Sequence, residues 1–419
     1  MRIISTSGQS KQHFYPVAIN RIAEYIHLSI AIATLLWLNV GIYAYFAKNI
    51  SNNIKLFLFL TWFGYSCISR IDYLENFIKR SLPLMLFFLT LILITLLTGT
   101  SELRVLVLNM RYFFIVYSIF LFYEKDPSFQ KIILSAIIID MIIIGFNTFF
   151  ALQINPNISR YLSTGSGVKE MLTGSAADNV GIGAFSYAYS LIFYCIYFFH
   201  RIIYTRKFKF IFVILFLIAV SLIINMQFTI SLIILLASSF YIIYRKFSSA
   251  KYFKLTLVFS FTILLLIFSL LPYFFEYLYY QDLFPQHISD RLMDLSRLFS
   301  GRSLEGTNTA GRFSRYFLSI NVFLENFFTG SLTDKIGEHS GWFDLLARLG
   351  LLSVTLYIFF IKEYFYIRNK LKSSSLIYYN ACFLSYFLIG LFNPSLFSQI
   401  FLTVFLIVPY LSFTLKENK

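Results

Sequence analysis

The chain has 419 residues, of which 58% are hydrophobic, 20% aromatic and 13% charged, and its formal net charge is +15. A soluble globular protein carries about 25% charged residues, so this composition excludes a water-soluble enzyme, a disordered protein and a secreted disulfide scaffold. The mean hydropathy of +0.72 also excludes a membrane β-barrel, whose alternating strands keep the mean hydropathy low. An all-α polytopic membrane protein remains, because lipid requires every backbone polar group to be satisfied within its own segment.

In chain order, residues 1–27 form a basic lead-in without a cleavage site, and apolar segments of about 20 residues follow. We predict about 12 transmembrane helices, at roughly 28–47, 54–69, 82–98, 103–123, 131–152, 182–199, 209–225, 228–244, 254–275, 342–362, 376–392 and 397–415. Around Asn225–Phe228 the sequence allows either a tight turn between two spans or one broken re-entrant unit. Residues 1–419 are expected to form a single polytopic membrane domain.

The positive charges predict the orientation of these spans. With the N-terminus inside, the inner segments contain more than twice as many Lys and Arg residues as the outer segments. Cytoplasmic loops of membrane proteins carry such an excess, so both termini are expected in the cytoplasm. The same rule explains the basic net charge without a nucleic-acid partner.

Two outer loops depart from this rule because they are basic. The large loop 276–341 contains Arg291, Arg297, Arg302, Arg312, Arg315 and Lys335, and the second loop 153–181 contains Arg160 and Lys169. Within the large loop, apolar residues at helical spacing predict one helix over 288–299 and a second amphipathic helix over about 313–327. The apolar face of the second helix is expected on the membrane surface or on the bundle.

Arg312 and Arg315 lie one turn apart on the other face of that second helix, together with Ser319. A planar guanidinium binds phosphate oxygens through two parallel hydrogen bonds, so the pair is a candidate clamp for a phosphate or diphosphate. The alternative is that these two arginines contact anionic lipid headgroups or face water.

The tenth span begins after a glycine-containing segment that ends at Ser340. Ser340 is predicted to cap this helix, and Asp344 lies in the first turn, where the helix dipole favours negative charge. Arg348 follows four residues later and is expected to form a structural ion pair with Asp344.

His339 is the candidate general base. It lies at the mouth of the tenth span beside Glu338, and imidazole is the commonest general base at neutral pH. The alternative is a surface histidine that caps the helix.

Arg111 lies deep in the fourth span, two turns from Arg104, and is a candidate site residue. The alternative role for Arg111 is a structural ion pair with Asp140 or Asp72.

The chain contains no Walker motif, no metal-ligand spacing of His and Cys, and no dinucleotide fingerprint. We therefore expect no cofactor and no metal, and a substrate that arrives already activated.

The segment from Gly337 to Leu351, Gly-Glu-His-Ser-Gly-Trp-Phe-Asp-Leu-Leu-Ala-Arg-Leu-Gly-Leu, resembles a motif of Wzy-type O-antigen polymerases, in the group that also contains O-antigen ligases. With the preceding arginines the resemblance covers about forty residues, from Arg312 to Leu352, and the topology extends it over the chain. It implies a GT-C-like fold with one large helical periplasmic loop, in the inner membrane of a bacterium.

The resemblance implies a glycosyltransferase that polymerises undecaprenyl-diphosphate-linked oligosaccharides at the periplasmic face, alongside membrane lipids and a chain-length-determinant co-polymerase. His339 would deprotonate the acceptor hydroxyl, Glu338 would orient that base, and Arg312 and Arg315 would bind the diphosphate. Some members of the group have an arginine followed ten residues later by glycine in two external loops. Arg291 is followed ten residues later by Gly301, whereas Arg160 is not followed by glycine at that spacing. Arg160 and Arg291 are both candidate diphosphate-binding residues, and their individual roles stay open.

Two other functions remain open from the sequence. An O-antigen ligase shares nearly all of this chemistry but transfers the glycan to lipid A–core. A non-enzymatic flippase of lipid-linked oligosaccharides would explain the spans and Arg111, but it would not need the large external loop, and transporters usually have related halves.

Overall fold

The computed structural model describes residues 17–38, 50–99, 101–164, 181–205, 207–248, 272–281, 308–331, 336–393 and 399–415, together with a few single positions between 262 and 300. The regular elements of these residues are all helical. They are α1 (Val17–Leu38), α2 (Asn52–Ser69), α3 (Ile71–Thr98), α4 (Ser101–Tyr123), α5 (Pro127–Ile154), α6 (Ile158–Thr164), α7 (Phe185–Tyr204), α8 (Lys209–Asn225), α9 (Thr229–Phe247), α10 (Asn308–Glu325), α11 (Gly341–Leu349), α12 (Leu352–Arg368), α13 (Ser373–Phe392), α14 (Gln399–Leu402), a π-helical turn (Thr403–Ile407) and α15 (Val408–Thr414).

Among the described residues, four helices are long and apolar enough to cross a bilayer: α3, α5, α9 and α13. This confirms that the described regular structure is all-helical and is consistent with an α-helical membrane protein. The total of twelve spans stays a prediction, and most of the predicted ninth span, 254–275, lies outside the described residues.

Local sequence signals explain where several helices begin and end. Ser51 caps α2 by accepting a hydrogen bond from the Ile54 N–H. Asp126 caps α5 in the same way, directly before a proline at the first helical position, where no N–H is needed. Helix α3 ends at Gly99, whose left-handed conformation (φ 68°) is easily adopted by glycine.

The sequence left two readings for Asn225–Phe228, and the structure has a tight turn there. Helix α8 ends at Asn225, Gln227 adopts a positive φ of 61°, and α9 begins at Thr229. Two separate helices therefore occupy this region.

The sequence predicts the tenth span, 342–362, as one continuous helix, and this prediction is wrong. It is divided at Gly350 into the short α11 and the longer α12. Gly350 has a φ of 54°, and a Cβ at this position would lie 2.5 Å from the backbone nitrogen of Gly330. The segment that follows α10 lies against the backbone at Gly350. The Leu351 N–H therefore donates a hydrogen bond to the Phe327 carbonyl at 3.1 Å, and the regular helix is interrupted.

Helix α10 corresponds to the second predicted loop helix, whereas the first, over 288–299, lies mostly outside the described residues. The apolar side chains Phe317, Leu324 and Phe328 are 62%, 65% and 75% exposed, so this face does not pack on the described bundle. The opposite face packs against α11. Helix α11 in turn packs against α12 and α13, which attaches the loop to the membrane helices.

Candidate active site at the α10–α11 junction

The structure brings Arg315 and His339 into direct contact. Arg315 Nη1 lies 2.8 Å from Nε2 of His339, and Nδ1 of the same ring lies 2.8 Å from the carbonyl oxygen of Glu338. A guanidinium can only donate, so Nε2 must be the accepting nitrogen. The proton of the neutral ring is then on Nδ1, which donates it to the Glu338 carbonyl.

Glu338 contributes to this geometry through its backbone. Its φ of 56° is in the left-handed region, which is uncommon for a residue with a side chain. This turn directs the Glu338 carbonyl at the imidazole, while the carboxylate lies 3.8 Å from Nη2 of Arg348 and is largely exposed. Glu338 therefore contacts the candidate base through its carbonyl and contacts Arg348 through its side chain.

A buried hydroxyl joins α10 to the segment that contains His339. Ser319, which is fully buried, donates to Oδ1 of Asp344 at 2.6 Å and accepts from the Gly337 N–H at 2.9 Å. Ser319 is one helical turn from Arg315, so its hydroxyl fixes the loop against the turn of α10 that carries Arg315.

Gly337 permits the close approach of these two segments. A Cβ at this position would lie 2.0 Å from the Arg315 carbonyl oxygen and 2.9 Å from the Ser319 hydroxyl. The loop consequently packs its backbone directly on α10, and His339, two residues later, is within reach of Arg315.

The predicted start of the tenth span is confirmed in detail. Ser340 accepts from the Phe343 N–H, and the Ser340 N–H donates to Oδ2 of Asp344 at 3.0 Å. This reciprocal arrangement satisfies two groups of the helix start that would otherwise lack partners. Asp344 lies in the first turn, as predicted.

Asp344 is buried in α11, a nine-residue helix too short to cross a bilayer. Burial raises the pKa of its carboxyl group above the usual value, while the hydrogen bonds from Ser319 and Ser340 and the charge of Arg348 oppose that rise. Arg348 thus acts on Asp344 electrostatically and lies near Glu338 as well. The direct ion pair of Asp344 with Arg348 stays a prediction.

Helix α13 supports the other side of the site. The Gly341 N–H donates to the Asn393 carbonyl at 3.0 Å, and the Ser340 hydroxyl donates to the Gly390 carbonyl at 3.1 Å. The indole N–H of Trp342 donates to the Phe387 carbonyl at 2.8 Å, and its ring lies where a Cβ of Gly390 would be. The His339 segment is therefore held between α10 and a long apolar helix.

Four other arginines from the sequence analysis have different outcomes. Arg291 lies outside the described residues, as do the side chains of Arg312 on α10 and Arg111 on α4. Arg160 is half-buried on α6, a short helix that packs against α5 and α7. Among the candidate residues with described side chains, the structure therefore groups His339, Glu338, Arg315, Asp344 and Arg348.

Sequence reasoning missed a buried network of charges at the other end of α12. Arg80 forms two parallel hydrogen bonds with the Glu363 carboxylate and donates to Glu124 at 2.7 Å. Lys370 donates to the second oxygen of Glu124 at 3.0 Å. The available signal was the presence of Glu363 in a segment that is otherwise basic.

Compared with models of known protein families and with curated proteins, the chain matches none.

Proposed function

We propose that this protein is a glycosyltransferase that polymerises undecaprenyl-diphosphate-linked oligosaccharide units into a surface polysaccharide. It would adopt a GT-C-like arrangement of about twelve spans in the inner membrane, with its site at the periplasmic face. The observation on which the proposal rests is the 2.8 Å contact between Arg315 and His339, on elements fixed by Ser319 and Asp344. This contact supports the proposal because a guanidinium can bind phosphate and an imidazole nitrogen can accept a proton.

In the proposed reaction, Nε2 of His339 removes the proton from a hydroxyl of the incoming unit. That oxygen attacks the anomeric carbon of the growing glycan, and the bond from this carbon to the diphosphate oxygen breaks. Undecaprenyl diphosphate leaves with the bonding electron pair, and the new glycosidic bond is formed. Arg315 stabilises the negative charge that develops on the leaving diphosphate, which is often a large contribution to catalysis.

The contact between the two groups suggests an order for these events. Arg315 donates to Nε2, the same nitrogen that must accept the proton. Diphosphate oxygens accept stronger hydrogen bonds than a neutral imidazole, because they are charged. Binding of the lipid diphosphate therefore draws the guanidinium away from His339, and the base becomes available only when the donor is present.

The remaining residues have supporting roles. The Glu338 carbonyl keeps the proton on Nδ1 and thereby leaves Nε2 as the base. Asp344 and Ser319 hold the loop against α10. Arg312, which shares the helix with Arg315, is proposed as the second group on the diphosphate.

The decisive experiment is a glycan ladder gel of cells that lack this chain, complemented with the wild type or with His339→Ala. We expect a ladder with the wild type and a single-repeat band with the variant, at equal amounts of protein in the membrane. Normal polymer length and amount with His339→Ala would overturn the role of His339.

The same gel separates the alternatives. Loss of all surface glycan in cells without the chain would indicate a ligase or a flippase instead of a polymerase. The side of the membrane on which lipid-linked units then accumulate would distinguish those two: the periplasmic side for a ligase and the cytoplasmic side for a flippase.

A further inference from the structure

A groove between α1 and α2 lies in a different part of the molecule from the candidate active site. Its cavity volume is about 300 Å³, at the lower end of the roughly 300–1,000 Å³ that small-molecule sites occupy. Its lining residues are Ile26, Ser29, Ile30, Ala33, Thr34, Trp37, Ile50, Lys55 and Leu58. Helix α1 packs against α2, α4 and α5, whereas α11 packs against α10, α12 and α13.

The wall of this groove is apolar along its length. The residues from α1 follow one helical face from Ile26 to Trp37, eleven steps along the helix, which corresponds to about 17 Å. The two hydroxyl groups on that face are turned back onto their own helix: Ser29 donates to the Tyr25 carbonyl and Thr34 donates to the Ile30 carbonyl. They therefore offer little to a polar ligand, and the small side chain of Ala33 leaves space between the helices.

The end of the groove is positively charged. Lys55 is only 8% exposed, and its ammonium lies 4.7 Å from the centre of the Trp37 ring. Lys55 also lies in the first turn of α2, where the helix dipole adds positive potential. An anion at this end would be favoured by both contributions.

Among the described residues, an apolar groove with Lys55 at one end fits a molecule with a long hydrocarbon chain and an anionic head. The exposed side chains of Ile26, Ile50 and Leu58 form the rim, so a chain could enter sideways from the bilayer. Lys55 lies at the start of the predicted second span, 54–69, which is the level of the membrane–water interface, where phosphate groups lie. In the predicted orientation this end of α1 faces the outer leaflet.

We infer that the α1–α2 groove binds an anionic phospholipid of the outer leaflet, with an acyl chain along α1 and its phosphate at Lys55. This inference depends only on the geometry of the two helices and not on the proposed polymerase reaction. Phosphatidylglycerol is the appropriate probe because its single phosphate leaves the headgroup with a net negative charge.

The test is native mass spectrometry of the full chain in detergent with phosphatidylglycerol or phosphatidylcholine of identical acyl chains. Three variants are compared with the wild type. Lys55→Gln removes the charge at similar length, and Ala33→Leu fills the channel while keeping Lys55. Lys79→Gln is the matched control, because Lys79 lies on the adjacent α3 with a side chain that is 70% exposed.

The wild type and Lys79→Gln should bind phosphatidylglycerol at least tenfold more tightly than phosphatidylcholine. Lys55→Gln should lose this preference, and Ala33→Leu should bind both lipids more weakly. Equal binding of the two lipids by the wild type, or unchanged preference in Lys55→Gln, would overturn the inference. If undecaprenyl phosphate binds in a Lys55-dependent manner and phosphatidylglycerol does not displace it, the groove is a polyprenyl site and the phospholipid assignment is wrong.

Discussion

The hydrogen bond from Arg315 to His339 determines which nitrogen of the neutral imidazole carries the proton. The two residues are 24 positions apart, and their contact depends on a glycine and a serine that have no chemical role in the proposed reaction. Sequence analysis predicted both residues because each has a recognisable chemistry. It did not predict their contact, because helical spacing relates residues within α10 but not residues across the loop.

Replacing Arg315 with Lys tests whether the guanidinium binds the diphosphate through two parallel hydrogen bonds. Lysine keeps the charge but lacks the planar fork. We expect polymer formation to fall about 10²–10³-fold, comparable with the removal of one charge-stabilising donor. The measurement is the rate of polymer formation from lipid-linked units by purified protein. Arg245→Lys, an exposed residue in the last turn of α9, is the control and should keep full activity. Full activity of Arg315→Lys would place the diphosphate elsewhere.

Gly337→Ala tests the close packing of the loop on α10. The new methyl group would overlap the Arg315 carbonyl at 2.0 Å, so the backbone must separate. We expect a loss of about 1–3 kcal/mol in the free energy of unfolding, together with loss of polymer, because His339 moves away from Arg315.

The control for this prediction is Gly311→Ala on α10, where a Cβ would meet nothing within 4 Å. Alanine there should leave polymer length unchanged and should not lower the thermal midpoint, because alanine favours helix formation over glycine. Similar behaviour of the two variants would show that the contact at Gly337 has no special importance.

At the scale of elements, many helix boundaries could be predicted within a few residues, but α1 and α3 each begin eleven residues before the predicted spans 28–47 and 82–98. The break within the tenth span could not be predicted either. Apolar residues continue on both sides of Gly350, and glycine within a helical pattern is tolerated at a cost of about 1 kcal/mol. The break results from the approach of Gly330, twenty residues earlier in the chain, which no local pattern reveals. Because of this break, α11 is a separate short helix that packs against α10 and α13. It is not the first part of one continuous span.

Ser319→Ala tests the connection between α10 and α11. The change leaves the Gly337 N–H and one oxygen of the buried Asp344 without the hydroxyl that now satisfies them. An unsatisfied buried polar group costs about 1–3 kcal/mol. We therefore expect a lower thermal midpoint and a shorter glycan ladder.

Ser314→Ala is the matched control for that change, because Ser314 is exposed on the same helix and bonds only locally to the Gly311 carbonyl. It should resemble the wild type in both measurements. A Ser319→Ala variant with unchanged stability and ladder would show that α10 and α11 are held together by other contacts.

At the scale of the whole molecule, the Arg80 network joins segments that are far apart in sequence. Arg80 on α3 is 44 residues from Glu124, which follows α4, and 283 residues from Glu363 on α12. The predicted spans leave these three residues in connections on the inner side but indicate no partners for them, since ion pairing over such separations depends on the packing of α3 against α12. The guanidinium also lies 3.6 Å from the centre of the Tyr366 ring, where it makes a cation–π contact.

Arg80→Met removes the shared partner of two carboxylates while retaining an apolar side chain of similar length. Glu124 and Glu363 are 8% and 1% exposed, so at least Glu363 would be left buried without its guanidinium. Breaking a buried ion pair from one side costs about 3–5 kcal/mol, because the remaining charge is uncompensated. We expect a large fall in the thermal midpoint of the purified protein, whereas Lys79→Gln, one residue earlier but exposed, should leave it unchanged.

A second substitution separates the loss of charge balance from the loss of packing. In the double variant Arg80→Met with Glu363→Gln, the uncompensated carboxylate is removed while the cavity and side-chain volumes stay nearly the same. Part of the lost stability should therefore return. If the double variant is less stable than Arg80→Met alone, the network acts through the shape of its side chains instead of their charges. Helix α12 connects this network to α11, so partial recovery of the thermal midpoint should be accompanied by partial recovery of the glycan ladder.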